Sequence, residues 1–361
     1  MVDNKILDFF NYLLSVRRIF HITADFDHNA ERVFTDTQFS FYGSCILIKI
    51  QRKFFILTAR HVLKDYIELP LPNTSPFRIQ LEIDRGFNNT NDFMYPLILW
   101  DIGKSNDSQT NYESNDIVLV EMSALLPFQK IRNYIDLNEI KIIDIKDFKE
   151  DLPVFDSGFS ILSNPFFYES DNDVAPFDEK EFTHSTIVKR DLVYGILKQD
   201  KDIFYVKKNK HSIKDTNGMS GGLITTIHEG IPKILGMHIA GHVNSDRINF
   251  IPFSLILPAI KSYIYSPKYI IDYEYFKRFQ SGNLKSIFEI MDQELASKVF
   301  NLGLANNEQN DEEVVFQFFK FLHEYQDFFL ANYEFIDELN GNTKRTDNFK
   351  DILKIIDNKD I

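Results

Sequence analysis

Ser220 is the residue of this sequence best suited to chemistry, because its immediate neighbours are small. It lies in residues 215–222 (DTNGMSGG), between Gly218 and the pair Gly221 and Gly222. Glycine and serine are ordinary turn residues, so the segment alone could be a plain loop. A serine on such a tight turn would nevertheless expose its hydroxyl, with backbone N–H groups converging on whatever it attacks. Ser220 is therefore a candidate nucleophile that needs an adjacent base.

Two further segments supply the groups that would activate this serine. The stretch FILTARHVL places His61 at the end of an apolar strand, and SNDIVLV places Asp116 at the start of another. A histidine can accept a proton near pH 7 and return it. Asp101 and Asp65 are alternatives to Asp116, which we prefer because an uninterrupted apolar strand follows it. Each residue taken singly has an ordinary structural interpretation, and only their combination indicates catalysis.

The chain order His, Asp, Ser and the motifs around these residues resemble the trypsin-like (chymotrypsin-fold) serine peptidases. FYGSCILI is similar to the strand before the catalytic histidine, TARH to T-A-x-H, DIVL to D-I-A-L and GMSGG to G-x-S-G-G. LGMHIAG is similar to the strand that flanks the substrate after the nucleophile. The resemblance covers residues 36–262 and is to the divergent, disulfide-free members found in bacteria and viruses.

This resemblance implies a role for each residue and a fold. Ser220 would be the nucleophile, His61 the general base and then acid, and Asp116 the group that orients the imidazole. The N–H groups of Gly218 and Ser220 would form the oxyanion hole. The implied fold is mainly β, with two antiparallel six-stranded β-barrels and the active site between them.

Met219 is a departure from the digestive members of this family. Those enzymes place an aspartate just before the nucleophile, and it pairs with the amino group of a freshly cleaved N-terminus. Methionine cannot form that ion pair. We therefore expect the turn to be held by packing or by a bound partner.

The resemblance also implies a pocket for the substrate side chain before the cleaved bond, formed by Asp215, Thr216, His238, Ala240 and Gly241. The G-x-H-x-x-G strand is similar to that of glutamyl endopeptidases and picornaviral cysteine proteases, in which the histidine favours Glu or Gln. Those families place a threonine five residues before the nucleophile, where this chain has Asp215. A carboxylate there would attract Lys or Arg instead. The two indications conflict, so we predict only a polar substrate side chain.

His238 and His242 stand four residues apart, a spacing that suits zinc binding on a helix. On a strand that spacing separates them by about 13 Å. No cysteine pair accompanies them, so we predict neither a metal nor another cofactor. Cys45, the single cysteine, lies in an apolar strand and is interpreted as a small core residue.

Composition limits the compartment and the partners. The net charge of −13 argues against nucleic-acid binding, which needs clustered Lys and Arg, and the short run KKNK is interpreted as a solvated turn. One cysteine rules out an internal disulfide and indicates a reducing compartment. The sequence contains no signal-peptide pattern and no apolar stretch of about 18 residues. We therefore expect a cytoplasmic protein with no membrane partner.

The pattern of apolar residues divides the chain into three predicted regions: an N-terminal helical extension (1–35), a peptidase domain (36–265) and a helical C-terminal region (266–361). Helical spacing predicts one amphipathic helix over 3–22. Short apolar runs predict strands that include 44–50, 53–58, 77–83, 117–122, 140–145, 204–206, 223–227 and 234–239. After about residue 268 apolar positions recur every three or four residues, which predicts several helices with breaks at Gly282 and Gly341.

Together these observations predict a bacterial serine endopeptidase that hydrolyses a protein or peptide substrate through an acyl-enzyme. Intracellular peptidases must be restrained, so we also expect regulation by an effector or by a protein that docks on the C-terminal helices. The alternative is a binding or scaffolding protein of the same fold whose catalytic residues are not assembled.

Overall fold

The chain divides into two units, one formed by residues 1–123 and 131–284 and the other by residues 124–130 and 285–361. All residues of the predicted site belong to the first unit. The computed structural model describes residues 4–22, 39–51, 53–64, 77–81, 93–105, 112–123, 125, 129–164, 189–213, 215–241, 245–265, 326, 330 and 343–357. The predicted domain boundaries stay predictions.

A closed antiparallel barrel forms the later part of the first unit. Its strands are β9 (Pro153–Gly158), β10 (Asp191–Asp200), β11 (Ile203–Lys208), β12 (Leu223–His228), β13 (Ile231–Gly241) and β14 (Arg247–Pro252). They pair in the order β10-β11-β14-β13-β12-β9, and β9 pairs with β10 to close the ring. Val193 and Leu197 of β10 face the core, whereas Leu192 and Tyr194 alternate outward. One predicted six-stranded barrel is thereby confirmed.

The earlier part of the first unit is an open, curled sheet. Its strands are β1 (Val16–Ile22), β2 (Phe39–Ile50), β3 (Lys53–Thr58), β4 (Phe77–Gln80), β5 (Phe93–Met94), β6 (Pro96–Trp100), β7 (Val118–Met122) and β8 (Ile135–Asp136). The order is β5-β4-β1-β2-β3-β7-β6, and β8 pairs with β2 in parallel.

The prediction of a second closed barrel is wrong for the described residues. The two edge strands, β5 and β6, are successive pieces of one segment, separated only by Tyr95. The two edges of the curled sheet are therefore joined covalently through Tyr95. Strands that follow each other with one residue between them cannot pair side by side, so no hydrogen-bond ladder closes the sheet into a barrel.

The N-terminal segment also differs from the prediction of one helix over 3–22. Helix α1 (Asn4–Leu14) ends where Ser15 donates both its N–H and its hydroxyl to the Tyr12 carbonyl. The residues that follow form β1, an interior strand between β2 and β4. Val16 and Phe20 fit helical spacing, but the intervening residues are buried as well. Burial on both faces is the property of an interior strand, and it removed the alternation that would have identified one.

Helices beyond the sheets are few among the described residues. Helix α2 (Phe253–Tyr265) directly follows β14, and α3 (Lys344–Asp357) belongs to the second unit. The strand predicted over 140–145 is wrong, because this stretch contributes only an isolated bridge from Ile142 to Ile234 and the start of a 3-10 turn. Most of the predicted C-terminal helices, with Gly282 and Gly341, lie outside the described residues. Within those residues, no helix has the length and apolar character needed to cross a membrane.

Candidate active site

His61 and Asp116 meet because they lie at the ends of two paired strands. His61 follows β3 on a 3-10 turn (Arg60–Leu63), and Asp116 lies just before β7, the neighbour of β3. The imidazole Nδ1 lies 2.7 Å from Asp116 Oδ2, and the backbone N–H of His61 donates to Oδ1 at 3.0 Å. A carboxylate that binds both the ring and the main chain of a histidine fixes the ring orientation and leaves Nε2 for other chemistry.

Of the two alternatives to Asp116, only Asp101 can be compared with it. Asp101 is buried and accepts a hydrogen bond from Arg60 Nε at 3.1 Å. Asp65 lies outside the described residues.

Two consecutive tight turns precede β12, and Ser220 is the second residue of the second turn. Met219 N–H donates to the Thr216 carbonyl at 3.0 Å, and Gly222 N–H donates to the Met219 carbonyl at 2.8 Å. The third residue of each turn has a positive φ, +89° at Gly218 and +85° at Gly221. Type II turns require such angles, which glycine adopts without strain. The G-x-S-G-G pattern thus encodes this backbone path.

The N–H groups around Ser220 are paired with two exceptions. Those of Asn217, Met219, Gly221 and Gly222 donate to Asp215 Oδ1, to Thr216 O, to His238 O and to Met219 O. The N–H groups of Gly218 and Ser220 have no acceptor among the described residues. These are the two donors that the sequence predicts for the oxyanion hole.

Contacts with β2 and β3 place the Ser220 turn beside the His61 turn. The N–H of Ser44 donates to the Ser220 carbonyl at 2.9 Å, and its hydroxyl donates to the Gly218 carbonyl at 3.0 Å. A Cβ on Gly221 would collide with the Ser44 carbonyl and with Thr58 Oγ1, so the two segments are in direct contact. Thr58 ends β3, next to the turn that carries His61.

The Ser220 hydroxyl donates to the Ile239 carbonyl at 3.0 Å. The ladder between β13 and β14 is irregular here, because the register shifts between His238 and Ala240 and leaves Ile239 without a paired partner. Among the described residues, this hydrogen bond takes the place of one to His61. The hydroxyl proton must leave the Ile239 carbonyl before it can pass to the imidazole.

Two polar atoms of the predicted substrate pocket are buried and without a hydrogen-bond partner among the described residues. They are Nε2 of His238, a residue that is 0% exposed, and Oγ1 of Thr216, a residue that is 1% exposed. A Cβ on Gly241 would collide with Thr216 Oγ1 and lie 3.6 Å from His238 Nε2, so the three residues share one space. Of the other predicted pocket residues, Asp215 caps its own turn through Asn217 N–H, and Ala240 is half-buried on β13.

Asp156 is a residue of this site that the sequence interpretation missed. It is fully buried on β9, and its Oδ2 lies 2.7 Å from His238 Nδ1. It faces inward like Val154, two residues before it in the strand. A carboxylate at an inward position of an apolar strand requires a buried partner, and that is the signal that could have identified it.

Lys208 corrects the interpretation of the basic run KKNK as a solvated turn. It ends β11 and is 7% exposed. Burial lowers the pKa of its ammonium, and the carboxylates of Asp215, Asp246 and Asp156 act in the opposite direction. Its positive charge therefore offsets part of the negative charge near the pocket.

The other groups that the sequence singles out are Cys45 and His242. Burial strongly raises the pKa of the Cys45 thiol, which keeps the sulfur protonated and unreactive. His242 lies outside the described residues. Within the described part of the chain, no three His, Cys, Asp or Glu side chains gather in a way that could hold a metal ion.

Comparisons of this chain with models of known protein families and with curated proteins find no match. The closed barrel beside a curled sheet is compatible with a chymotrypsin-like fold.

Proposed function

We propose that this protein is a serine endopeptidase that uses Ser220, His61 and Asp116. The observation that carries the proposal is a histidine held by both oxygens of one carboxylate, next to a serine turn whose two unpaired N–H groups are those of Gly218 and Ser220. A carboxylate-bound histidine beside a half-buried serine is an arrangement for activating a hydroxyl. Two free N–H groups next to that hydroxyl suit a developing oxyanion.

The reaction would proceed through two tetrahedral intermediates. The Ser220 oxygen attacks the substrate carbonyl while His61 Nε2 takes the hydroxyl proton, and the carbonyl oxygen becomes an anion that accepts from the two free N–H groups. The C–N bond then breaks, and His61 returns the proton to the leaving amine. Water attacks the resulting ester by the same route in reverse, which releases the acid and restores Ser220.

The pocket supports a preference for a polar side chain that forms hydrogen bonds. One oxygen of each carboxylate is engaged, Asp156 Oδ2 by the His238 imidazole and Asp215 Oδ1 by the Asn217 N–H. Among the described residues, the buried atoms without a partner here are Oδ1 of Asp156, a ring nitrogen of His238 and the hydroxyl of Thr216. Unpaired buried polar atoms cost free energy until a ligand satisfies them, so a substrate that lacks a complementary group binds less well.

Labelling with a fluorophosphonate probe tests the proposed function. The purified protein should be labelled, and Ser220→Ala and His61→Ala should each abolish labelling. Ser212→Ala is the matched control, because this serine lies in an exposed turn and its hydroxyl only donates to the Tyr194 carbonyl. Absence of Ser220-dependent labelling in the folded wild type, even after addition of candidate effectors from a host lysate, would refute the proposal.

A second candidate is a binding or scaffolding protein of this fold. The observation that favours it is the hydrogen bond from the Ser220 hydroxyl to the Ile239 carbonyl, in which the hydroxyl proton is donated to the backbone and not to His61. If the protein is a scaffold, Ser220→Ala should bind the same partners as the wild type. If it is a peptidase, Ser220→Ala should retain uncleaved substrates that the wild type does not retain.

The cytoplasm and a regulating partner also belong to the proposal. The single, buried Cys45 is compatible with a reducing compartment, because no disulfide is available to the fold. Met219 is fully buried and carries no charge, so no ion pair from this position orders the serine turn. We propose that a protein that docks on the C-terminal helices regulates the order of the serine turn in place of such an ion pair.

A further inference from the structure

The turn over residues 158–164, which follows β9, touches the Ser220 loop at successive points. A Cβ on Gly158 would lie only 3.0 Å from the Cβ of Met219, so the two backbones are in close contact. The N–H of Phe159 donates at 3.0 Å to Ser44 Oγ, the same hydroxyl that donates to the Gly218 carbonyl. This 158–164 turn therefore lies directly behind the predicted oxyanion hole.

One contact controls the direction of an oxyanion donor. The N–H of Ile161 donates to the Asn217 carbonyl at 2.9 Å. That carbonyl and the N–H of Gly218 belong to the same peptide group. In a planar trans peptide the C=O and N–H point in opposite directions. Holding the carbonyl toward Ile161 therefore directs the Gly218 N–H away from Ile161, and it has no acceptor among the described residues.

The 158–164 turn is itself held by the carboxylate of Asp191. Oδ2 accepts from the N–H of Ser160 at 3.0 Å and from its hydroxyl at 2.6 Å, and Oδ1 accepts from the Ser163 hydroxyl at 2.6 Å. Asp191 is 4% exposed and Ser160 is fully buried. The side chain of Asn164 adds bonds to the Ser160 carbonyl and to both backbone groups of Lys189.

The hydrogen bonds to Asp191 also set the shape of the 158–164 turn. A buried carboxylate is costly unless hydrogen bonds satisfy it, and here all the donors come from the 158–164 turn and so define its shape. The turn in turn fixes the Asn217–Gly218 peptide. The uncharged Met219 supplies no ion pair for this task.

We propose that Asp191 is a positioning residue for the oxyanion hole. Through Ser160 and Ser163 it holds the 158–164 turn, so that Ile161 keeps the Gly218 N–H directed at the reacting carbonyl oxygen. This inference rests on the proposed peptidase function. It assigns to a strand residue of the barrel the stabilising role that a charged neighbour of the nucleophile would otherwise have.

The test is Asp191→Asn, with kcat measured per active site titrated by a fluorophosphonate. Asparagine keeps the shape but cannot accept from all three donors. Loss of one oxyanion donor lowers kcat by about 100-fold or more, and KM stays within about twofold because the interaction exists only in the transition state. Asp202→Asn, the same change at an exposed position of the β10–β11 turn, should match the wild type. A merely structural Asp191 would reduce the number of titrated sites and leave kcat per site unchanged, which would overturn the inference.

Two further measurements decide the remaining outcomes. If Asp191→Asn does not fold, Ser163→Ala removes a single bond to the carboxylate, and kcat per site should fall by about tenfold, whereas an unchanged value contradicts the role. If the wild type shows no Ser220-dependent labelling, the proposed function fails, and crystal structures of the wild type and Asp191→Asn test the inference alone. A rotated Asn217–Gly218 peptide in the variant supports the positioning role, and an unchanged peptide refutes it.

Discussion

Replacing Asp116 with asparagine removes one charge from the site while the side-chain shape is kept. The amide oxygen can still accept from the His61 backbone N–H, where the carboxylate oxygen lies at 3.0 Å. The amide NH₂ then faces Nδ1 in place of Oδ2, at a separation of 2.7 Å in the native site. Two donors cannot face each other, so Nδ1 becomes an acceptor and Nε2 carries the proton. The neutral imidazole is then unable to take the proton of Ser220.

The size of the effect follows from the geometry of this pair. The transition state carries a positive imidazolium, whose charge centre lies about 4 Å from that of the carboxylate. At an effective dielectric constant of about 20 that attraction amounts to about 4 kcal/mol. This dielectric suits the site, because the two side chains are 47% and 17% exposed. Since 1.36 kcal/mol is a factor of ten, the charge alone accounts for about a thousandfold, and the wrong tautomer adds to it. We expect kcat/KM to fall by about 10³- to 10⁴-fold.

The assay is hydrolysis of an activated ester or a peptide, with rates expressed per titrated site. Asp101→Asn is the matched control, because it is the same change in the buried carboxylate that binds Arg60. We expect its rate per site to stay within about threefold of the wild type, since this carboxylate bonds to Arg60 and not to the His61 imidazole. Asp116→Asn within tenfold of the wild type would refute the reasoning, as would a larger loss in Asp101→Asn.

Three further predictions concern stability, specificity and pH. Gly221→Ala should lower the free energy of unfolding by about 3 kcal/mol in urea melts, because it adds a collision to the strain of a positive φ; Gly230→Ala, at φ +69° in an exposed turn, should cost about 1 kcal/mol. His238→Ala should lower kcat/KM at least about tenfold for the preferred polar side chain before the cleaved bond, but leave alanine there nearly unaffected, and equal losses would contradict the pocket. Burial lowers the pKa of Lys208, so the unfolded chain binds more protons than the folded chain as this amine titrates. Relative to Lys208→Met, the free energy of unfolding of the wild type should therefore rise from pH 7 toward about pH 10.5. Parallel pH curves for the two proteins would exclude a lowered pKa at Lys208.

The candidate catalytic residues could be predicted from the sequence because each has an informative neighbourhood. The two tight turns around Ser220 need glycines. His61 follows the end of one apolar strand, and Asp116 precedes the start of the strand paired with it. These requirements are local, so they are visible as short motifs. The assignment of Asp116 over Asp101 was likewise local, since it depended on the strand that follows.

The supporting residues could not be predicted, because their partners are distant in the chain. Asp156 lies 82 positions from His238, and Asp191 lies 31 positions from Ser160. A lone carboxylate at an inward strand position indicates that a buried partner exists, but the identity of that partner depends on strand register, which the sequence does not state. The open sheet is a similar case, because its edges meet only through the order in which the strands pair.

The N-terminal segment has a consequence for the timing of events during synthesis. Helix α1 contacts β12 and β13 of the barrel, and Phe9 packs on Phe155 of β9 with ring centroids 5.0 Å apart. During synthesis, helix α1 therefore cannot bury this face until the barrel strands, which follow it in the chain, have also emerged. Contacts at such sequence separation form late in folding. A nascent chain that ends before Ser220 contains His61 and Asp116 but lacks the serine and most of the barrel, so the candidate site assembles only late in synthesis.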